Sequence, residues 1–381
     1  MKKAIFLLFI ICPVIFGGWF FVPGAYWTFQ DGGVGFFYAQ GEYEKLGWTF
    51  DGRYSFSNDL WLDTELNSKV IGERTALRFN FSQDSIQNDW RKPTGDTTTI
   101  GPYDAMEYSA YIRQRFKAGK SSRVELFAGY NRGEYKSNYS YDMAGSWDSE
   151  PETRIADAVD AGFEFSFDSR EDPENPQTAY YFGVRLGGLY FPSAGEENFD
   201  FLDLVQFTDS ENNWPPDGSG YIELDQRFFG KLQMDKVPFP VILALRIGLG
   251  HHLTEVPQLV AFKAGKDDFL RGVDKRHLMG TSYYIMSGEL RAQIWEESYT
   301  PLVLLHWLIP GYPNPRPTLE IVPIVEAARI YGEYVRDEEQ QMTYGLGLHW
   351  VFSDYTVIRF DVCYWGKGET WGAYFSFEPS I

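Results

Sequence analysis

Val159-Asp160-Ala161-Gly162-Phe163-Glu164-Phe165-Ser166-Phe167-Asp168 alternates without a break. Asp160, Glu164, Ser166 and Asp168 fall on one side, and Val159, Ala161, Phe163, Phe165 and Phe167 on the other. A period of two predicts a β-strand whose faces meet different surroundings. One face needs an apolar surface and the other needs water.

The same pattern extends in both directions. Upstream, Met106 to Phe116 carries Glu107, Arg113 and Arg115 on its polar side, and Val124 to Asn131 returns across a tight turn. Downstream, strands are predicted at Tyr180 to Tyr190, Tyr221 to Phe228, Val241 to Gly250, Tyr283 to Ala292, Leu319 to Tyr331, Met342 to Phe352, Thr356 to Trp365 and Trp371 to Phe377. With the shorter aromatic runs from Phe21 to Phe81, the count is sixteen. An even number of strands about 9–11 residues long suits a transmembrane barrel. Long connections alternate with short ones, which places long loops outside and short turns at the periplasm. The expectation is an all-β, 16-stranded antiparallel transmembrane barrel.

Composition agrees with that class. Aromatic residues make up 18% of 381, accompanied by 37 Gly, and no second apolar run is long enough for a membrane helix. Met1-Lys2-Lys3, the apolar run Ala4 to Phe16 and then Gly17-Gly18 read as a secretory signal. Cleavage is expected near Gly18 or Ala25, dividing the chain into a signal over 1–18 and a barrel over 19–381. Losing Lys2 and Lys3 takes the formal charge from -19 to -21, which argues against nucleic acid or an anionic surface as the main partner. Of two cysteines, Cys12 lies in the signal with Ile11 before it, where a lipoprotein has a small residue. Cys363 is then left without an intrachain partner.

Three motifs carry more specific information. The first is Asp268-Phe269-Leu270-Arg271-Gly272, in a long loop running from after His252 to near Gly280. Alone, its arginine reads as a solvated loop residue. The following strands, however, put Glu289 and Glu326 on their polar faces, where one arginine and two carboxylates can meet. The second is Asp168-Ser169-Arg170-Glu171-Asp172-Pro173-Glu174-Asn175-Pro176, which also reads as an ordinary Pro-rich turn. The third is the last strand, in which Thr370, Gly372, Phe375 and Phe377 fit the signal read by the barrel assembly machinery, although Glu378-Pro379-Ser380-Ile381 follows in place of a terminal phenylalanine.

The order of Leu270-Arg271-Gly272, Ser287-Gly288-Glu289-Leu290-Arg291 and Val325-Glu326-Ala327 resembles the BamA-type assembly barrels of the bacterial surface antigen superfamily. The resemblance implies that the sixth outer loop folds into the lumen and that Arg271 pairs with Glu289 and Glu326. It also implies that Asp168, Arg170, Pro173 and Pro176 form an inner turn. Val273 replaces the aromatic residue that usually follows the glycine, Glu326 replaces aspartate, and the turn's later glycine is absent near Ala179. The signal runs almost directly into barrel, so a member without POTRA domains is expected.

For function, the resemblance implies insertion or translocation of proteins or other macromolecules at the outer membrane of a Gram-negative-type bacterium. Outer-membrane lipid, the machinery that inserts the chain, client polypeptides and periplasmic subunits are the expected partners. Pro23 and Gly24 weaken the first strand, which fits either an opening seam near Trp27 and Phe375 or a tolerated strand start. The alternative is a passive pore or structural barrel. Its interior acids, Glu107, Glu125, Asp160, Glu164, Glu223, Asp225, Glu289, Glu326 and Asp361, share faces with Arg113, Arg115, Arg185, Arg227, Arg246, Arg291 and Arg359.

An enzyme is not expected, and no cofactor, metal or catalytic residue is assigned. Glu223 and Asp225 read as charges on a wetted face rather than an acid/base pair. The adjacent His251 and His252 point to opposite faces of a strand. The apolar run 301–310 suits either the membrane interface or a docked partner.

Overall fold

The computed structural model describes residues 14–16, 19–28, 32–43, 48–55, 60–67, 75–86, 103–137, 140–141, 147–148, 153–170, 178–192, 217–232, 237–257, 259–264, 270–271, 273, 278–296, 318–332, 340–352, 356–366 and 370–378. Side-chain surroundings are described for most of these from Leu62 onward. The run 301–310, Pro173, Pro176 and Gly272 lie outside the described residues.

The chain is all-β. Its first half contains β1 (Val14–Phe16), β2 (Trp19–Thr28), β3 (Gly32–Tyr43), β4 (Trp48–Ser55), β5 (Leu60–Asn67), β6 (Thr75–Ile86), β7 (Tyr103–Lys117), β8 (Ser122–Ser137), β9 (Ser140–Tyr141), β10 (Trp147–Asp148) and β11 (Thr153–Asp168). Its second half contains β12 (Ala179–Tyr190), β13 (Gly218–Leu232), β14 (Val241–His252), β15 (Phe262–Ala264), β16 (Leu278–Gly280), β17 (Ser282–Glu296), β18 (Thr318–Tyr331), β19 (Gln341–Phe352), β20 (Thr356–Trp365) and β21 (Thr370–Glu378).

Seventeen strands form one antiparallel sheet in which each pairs with its neighbours in sequence. The small hairpins β9–β10 and β15–β16 stand apart, so β8 pairs with β11 and β14 with β17. The strand beyond the sixteen expected is β1, which pairs back onto Trp19–Phe21 of β2. Pro23 and Gly24 do not break β2, since they stand opposite Phe37 and Phe36 in the ladder with β3.

The two faces of the sheet are inverted relative to a soluble protein. On β18, Val325 is 53% exposed while the adjacent Glu326 is 4% exposed. The same holds elsewhere: Ile112, Leu126, Phe163, Ile247, Met286 and Leu346 are exposed, whereas Glu125, Asp160, Glu289, Arg291 and Asp361 are buried. A strand that presents apolar side chains outward and polar ones inward suits a lipid exterior. No helix among the described residues is long and apolar enough to cross a membrane.

Inner charges are neutralised on neighbouring strands. Glu125 meets Arg115 at 2.8 Å and Arg113 at 3.1 Å. Asp225 meets Arg227 at 2.6 Å and Arg246 at 3.1 Å. Asp160 accepts bonds from Arg185 at 3.0 Å and from the hydroxyls of Tyr221 at 2.9 Å and Tyr111 at 3.1 Å. Glycines let those two rings lie flat on the wall: a Cβ at Gly129 would stand 2.2 Å from the Tyr111 ring, and one at Gly187 would stand 2.5 Å from that of Tyr221.

The long loop after β14 lies against the polar face. Val256 and Ala261 are buried with Phe127, Ala158, Leu189, Phe191 and Tyr221, and Leu259 packs on the group Ala105, Tyr135 and Ala156. Only five residues on, Ala264 is buried with Ile285, Ala328 and Ile330. Seven ladder steps separate β7 from β18, about 34 Å along a flat sheet, whereas five residues of chain reach at most about 18 Å. The sheet therefore curls around the loop.

Candidate functional site

Arg271 is held at the far end of this loop by its backbone as well as its side chain. Leu270 is fully buried beside Val273, Ile285, Ala328 and Ile330, and has φ +62°. That left-handed conformation is uncommon for a residue with a Cβ and costs on the order of 1–3 kcal/mol, which the surrounding packing has to offset. It belongs to a tight turn in which the N–H of Val273 donates to the carbonyl of Leu270 at 3.0 Å. The turn directs the N–H of Arg271 onto Glu326 Oε2 at 2.7 Å.

Three strands then contribute carboxylates. Arg271 Nε and Nη2 both donate to Glu326 Oε1, at 2.9 and 2.7 Å, while Nη2 also donates to Glu289 Oε1 and Nη1 to Asp361 Oδ2, each at 2.7 Å. The structure thus brings Arg271 together with Glu289 and Glu326 and adds Asp361 as a third acid. Burial alone would lower the guanidinium's pKa, but Glu326, Glu289 and Asp361 outweigh it and hold the pKa well above its ordinary range.

A second set of contacts orients these acids. Arg291 Nε donates to Glu289 Oε2 at 2.9 Å, Thr343 Oγ1 to Glu326 Oε2 at 3.3 Å, and His349 Nε2 lies 2.9 Å from Asp361 Oδ1. Gly347 makes the room, because a Cβ there would stand 2.2 Å from Asp361 Oδ1 and 2.8 Å from His349 Nε2. Charge-assisted bonds from a planar guanidinium to several carboxylates form a clamp with little geometric freedom. The clamp fastens the loop to β17, β18 and β20.

The loop has a second fastening on β7, seven ladder steps from β18. Lys263 Nζ donates to Glu107 Oε1 at 2.9 Å, and Tyr135 Oη donates to the same oxygen at 2.9 Å. Neither Lys263 nor Asp361 was marked by sequence as a partner. Asp361 stands on the expected polar face, but its proximity to Arg271 follows only from the registers Glu326↔Thr343 and Gly347↔Asp361.

The other expected motifs lie elsewhere. Asp168 holds Arg170 through both oxygens, at 2.8 and 2.7 Å, at the β11 turn, and the Arg170 guanidinium lies 5.0 Å from the centre of the Tyr181 ring. In β21, Gly372 is buried opposite Cys363, and Phe375 and Phe377 pair in the ladder with Phe360 and Ile358. Glu223 and Asp225 point into the inner charge network with Arg185, Arg227 and Arg246. No group of three or more His, Cys, Asp or Glu suited to a metal ion occurs among the described residues.

Comparison with solved structures places this arrangement. BamA from Haemophilus ducreyi lacking POTRA domains 1-3 superposes with a TM-score of 0.55 at 12% identity, over 95% of this chain and 70% of that one. CdiB from Escherichia coli superposes with a TM-score of 0.58 at 9% identity, over 94% of this chain and 62% of that one. The fold resembles their barrels. The chain spans less than two thirds of the length of CdiB. No protein-family model and no curated protein matches the sequence.

Proposed function

We propose that this chain is an outer-membrane β-barrel of BamA type, closed from sixteen strands, that takes part in inserting or translocating polypeptides at the outer membrane. The observation that carries this reading is the loop arginine clamped to three inner carboxylates within a sheet of that fold. In this reading 1–18 is removed as a signal, so β1 is absent from the mature barrel. The seam between β2 and β21 is the exit for clients, and Pro23, without a backbone donor, keeps pairing there weak.

A loop fastened to β7 as well as to β17, β18 and β20 argues against a permanently open pore, so the barrel should conduct little in its resting state. Photocrosslinkers at Trp27 and Phe375 test the seam. Adducts with nascent outer-membrane polypeptides at these sites, and none from an outward residue such as Met286, support the reading. A seam that captures nothing, in a barrel whose bilayer conductance is steady and high, would instead mean a passive pore.

A further inference from the structure

Outward-facing aromatic side chains collect at the end of the sheet that carries the long loop. Tyr344 and Tyr364 have ring centres 5.4 Å apart, Tyr364 and Trp371 5.1 Å, and Tyr284 and Tyr331 6.3 Å. Such a girdle marks the level of lipid headgroups. Among the described residues, Arg329 is a cation that stands within it. Arg329 shares the outward face of β18 with Val325 and Ala327, lies opposite Tyr284 in the ladder, and rests its guanidinium 4.5 Å from the centre of the Tyr331 ring.

Arg329 forms no ion pair with a described carboxylate, and its Nε, like that of Arg132, is buried without a hydrogen-bond partner. The contrast with Arg132 is informative. Arg132 also faces outward, on β8, but it lies 3.4 Å from Glu134 and 3.5 Å from Asp157. Beside Arg329 the next outward groups are Tyr331, opposite Ser282, and His251, whose Nδ1 lies 2.7 Å from Ser282 Oγ. This patch offers a fixed guanidinium, hydroxyls and an imidazole, but no described acid. Such a set suits an anion with several acceptor oxygens.

We infer that Arg329, with Tyr331 and Tyr284 beside it, binds a phosphate of a phosphorylated glycolipid in the outer leaflet. This rests on the outer-membrane reading above. The rings hold the guanidinium at headgroup depth, and the lipid phosphate supplies the counter-charge that no described carboxylate gives.

The test uses the full chain, purified in mild detergent, with bound lipid counted by native mass spectrometry after titration with bisphosphorylated lipid A. The wild type should retain lipid A. Arg329→Gln should weaken retention roughly tenfold, the scale of losing one charge-assisted contact. Arg329→Lys should be intermediate, and Arg132→Gln unchanged. Equal retention by Arg329→Gln, equal binding of dephosphorylated lipid A, or equal binding of phosphatidylglycerol overturns the inference. Displacement by inorganic phosphate at matched concentration would also overturn it, by showing a free-anion site. Vesicle flotation separates the two levels. A wild type that fails to float refutes the membrane reading itself, whereas floating proteins with identical lipid retention refute only the role of Arg329.

Discussion

Arg271 concentrates the strongest single-residue prediction. Arg271→Ala would leave Glu289, Glu326 and Asp361 facing one another without their shared cation. Breaking a buried pair in this way costs roughly 3–5 kcal/mol, reduced where a carboxylate takes up a proton. Arg271→Lys keeps the charge but cannot donate to three acids in one plane, so it should fall between. Band-shift temperature on gels should drop in the order wild type, lysine, alanine, and the alanine variant should open Lys263, Lys266 or Lys275 to trypsin. Unchanged melting and protection in the alanine variant would show that the clamp contributes nothing to stability. Gly347→Ala probes the same site from the wall, since its Cβ would displace Asp361 or His349. It should reproduce a milder form of the alanine phenotype, whereas alanine at Gly188, which meets nothing within 4 Å, should melt as wild type.

Among the elements, the loop between β14 and β17 is the one that joins distant parts of the sheet. Its near fastening, Lys263 to Glu107, is mostly buried, with 16% of each side chain exposed. A double-mutant cycle of Lys263→Met and Glu107→Gln should show a coupling of about 1 kcal/mol. The cycle should shrink to zero in the Arg271→Ala background if release of the far end frees the whole loop. A coupling that survives in that background would mean the two fastenings act independently. Apolar burial of Val256, Ala261, Ala264 and Leu270 supports both ends, and it explains why the loop holds a course across the polar face without a long ladder of its own.

For the molecule as a whole, the inverted faces decide the solvent. Val325→Lys places a charge on the outward apolar face, where the cost near the middle of the bilayer is about 2–4 kcal/mol. The variant should lose the heat-modifiable folded band in membranes. A lysine variant that assembles as wild type would place Val325 in water and contradict a lipid-facing sheet. The paired interior has the complementary effect, because acids such as Glu125 and Asp225 each bind two arginines and the net charge of -19 overstates the charge free on the inner wall.

Strand class and facing were legible residue by residue, because a period of two is a local property. Val159 to Asp168 already separated the outward Phe163 from the inward Asp160, and β11 shows that division. The loop motif was legible only through the resemblance, since its arginine read alone is a solvated loop residue. Partners across the sheet were not. Asp361 lies 90 residues beyond Arg271, and Glu107 lies 156 before Lys263. Alternation assigns each of them a face but says nothing about which rungs stand level, or how tightly the sheet curls. Register and curvature arise from the pairing of all strands together, so only the tertiary structure decided which charges meet between distant strands and that Arg329, on the outward face, pairs with no described acid.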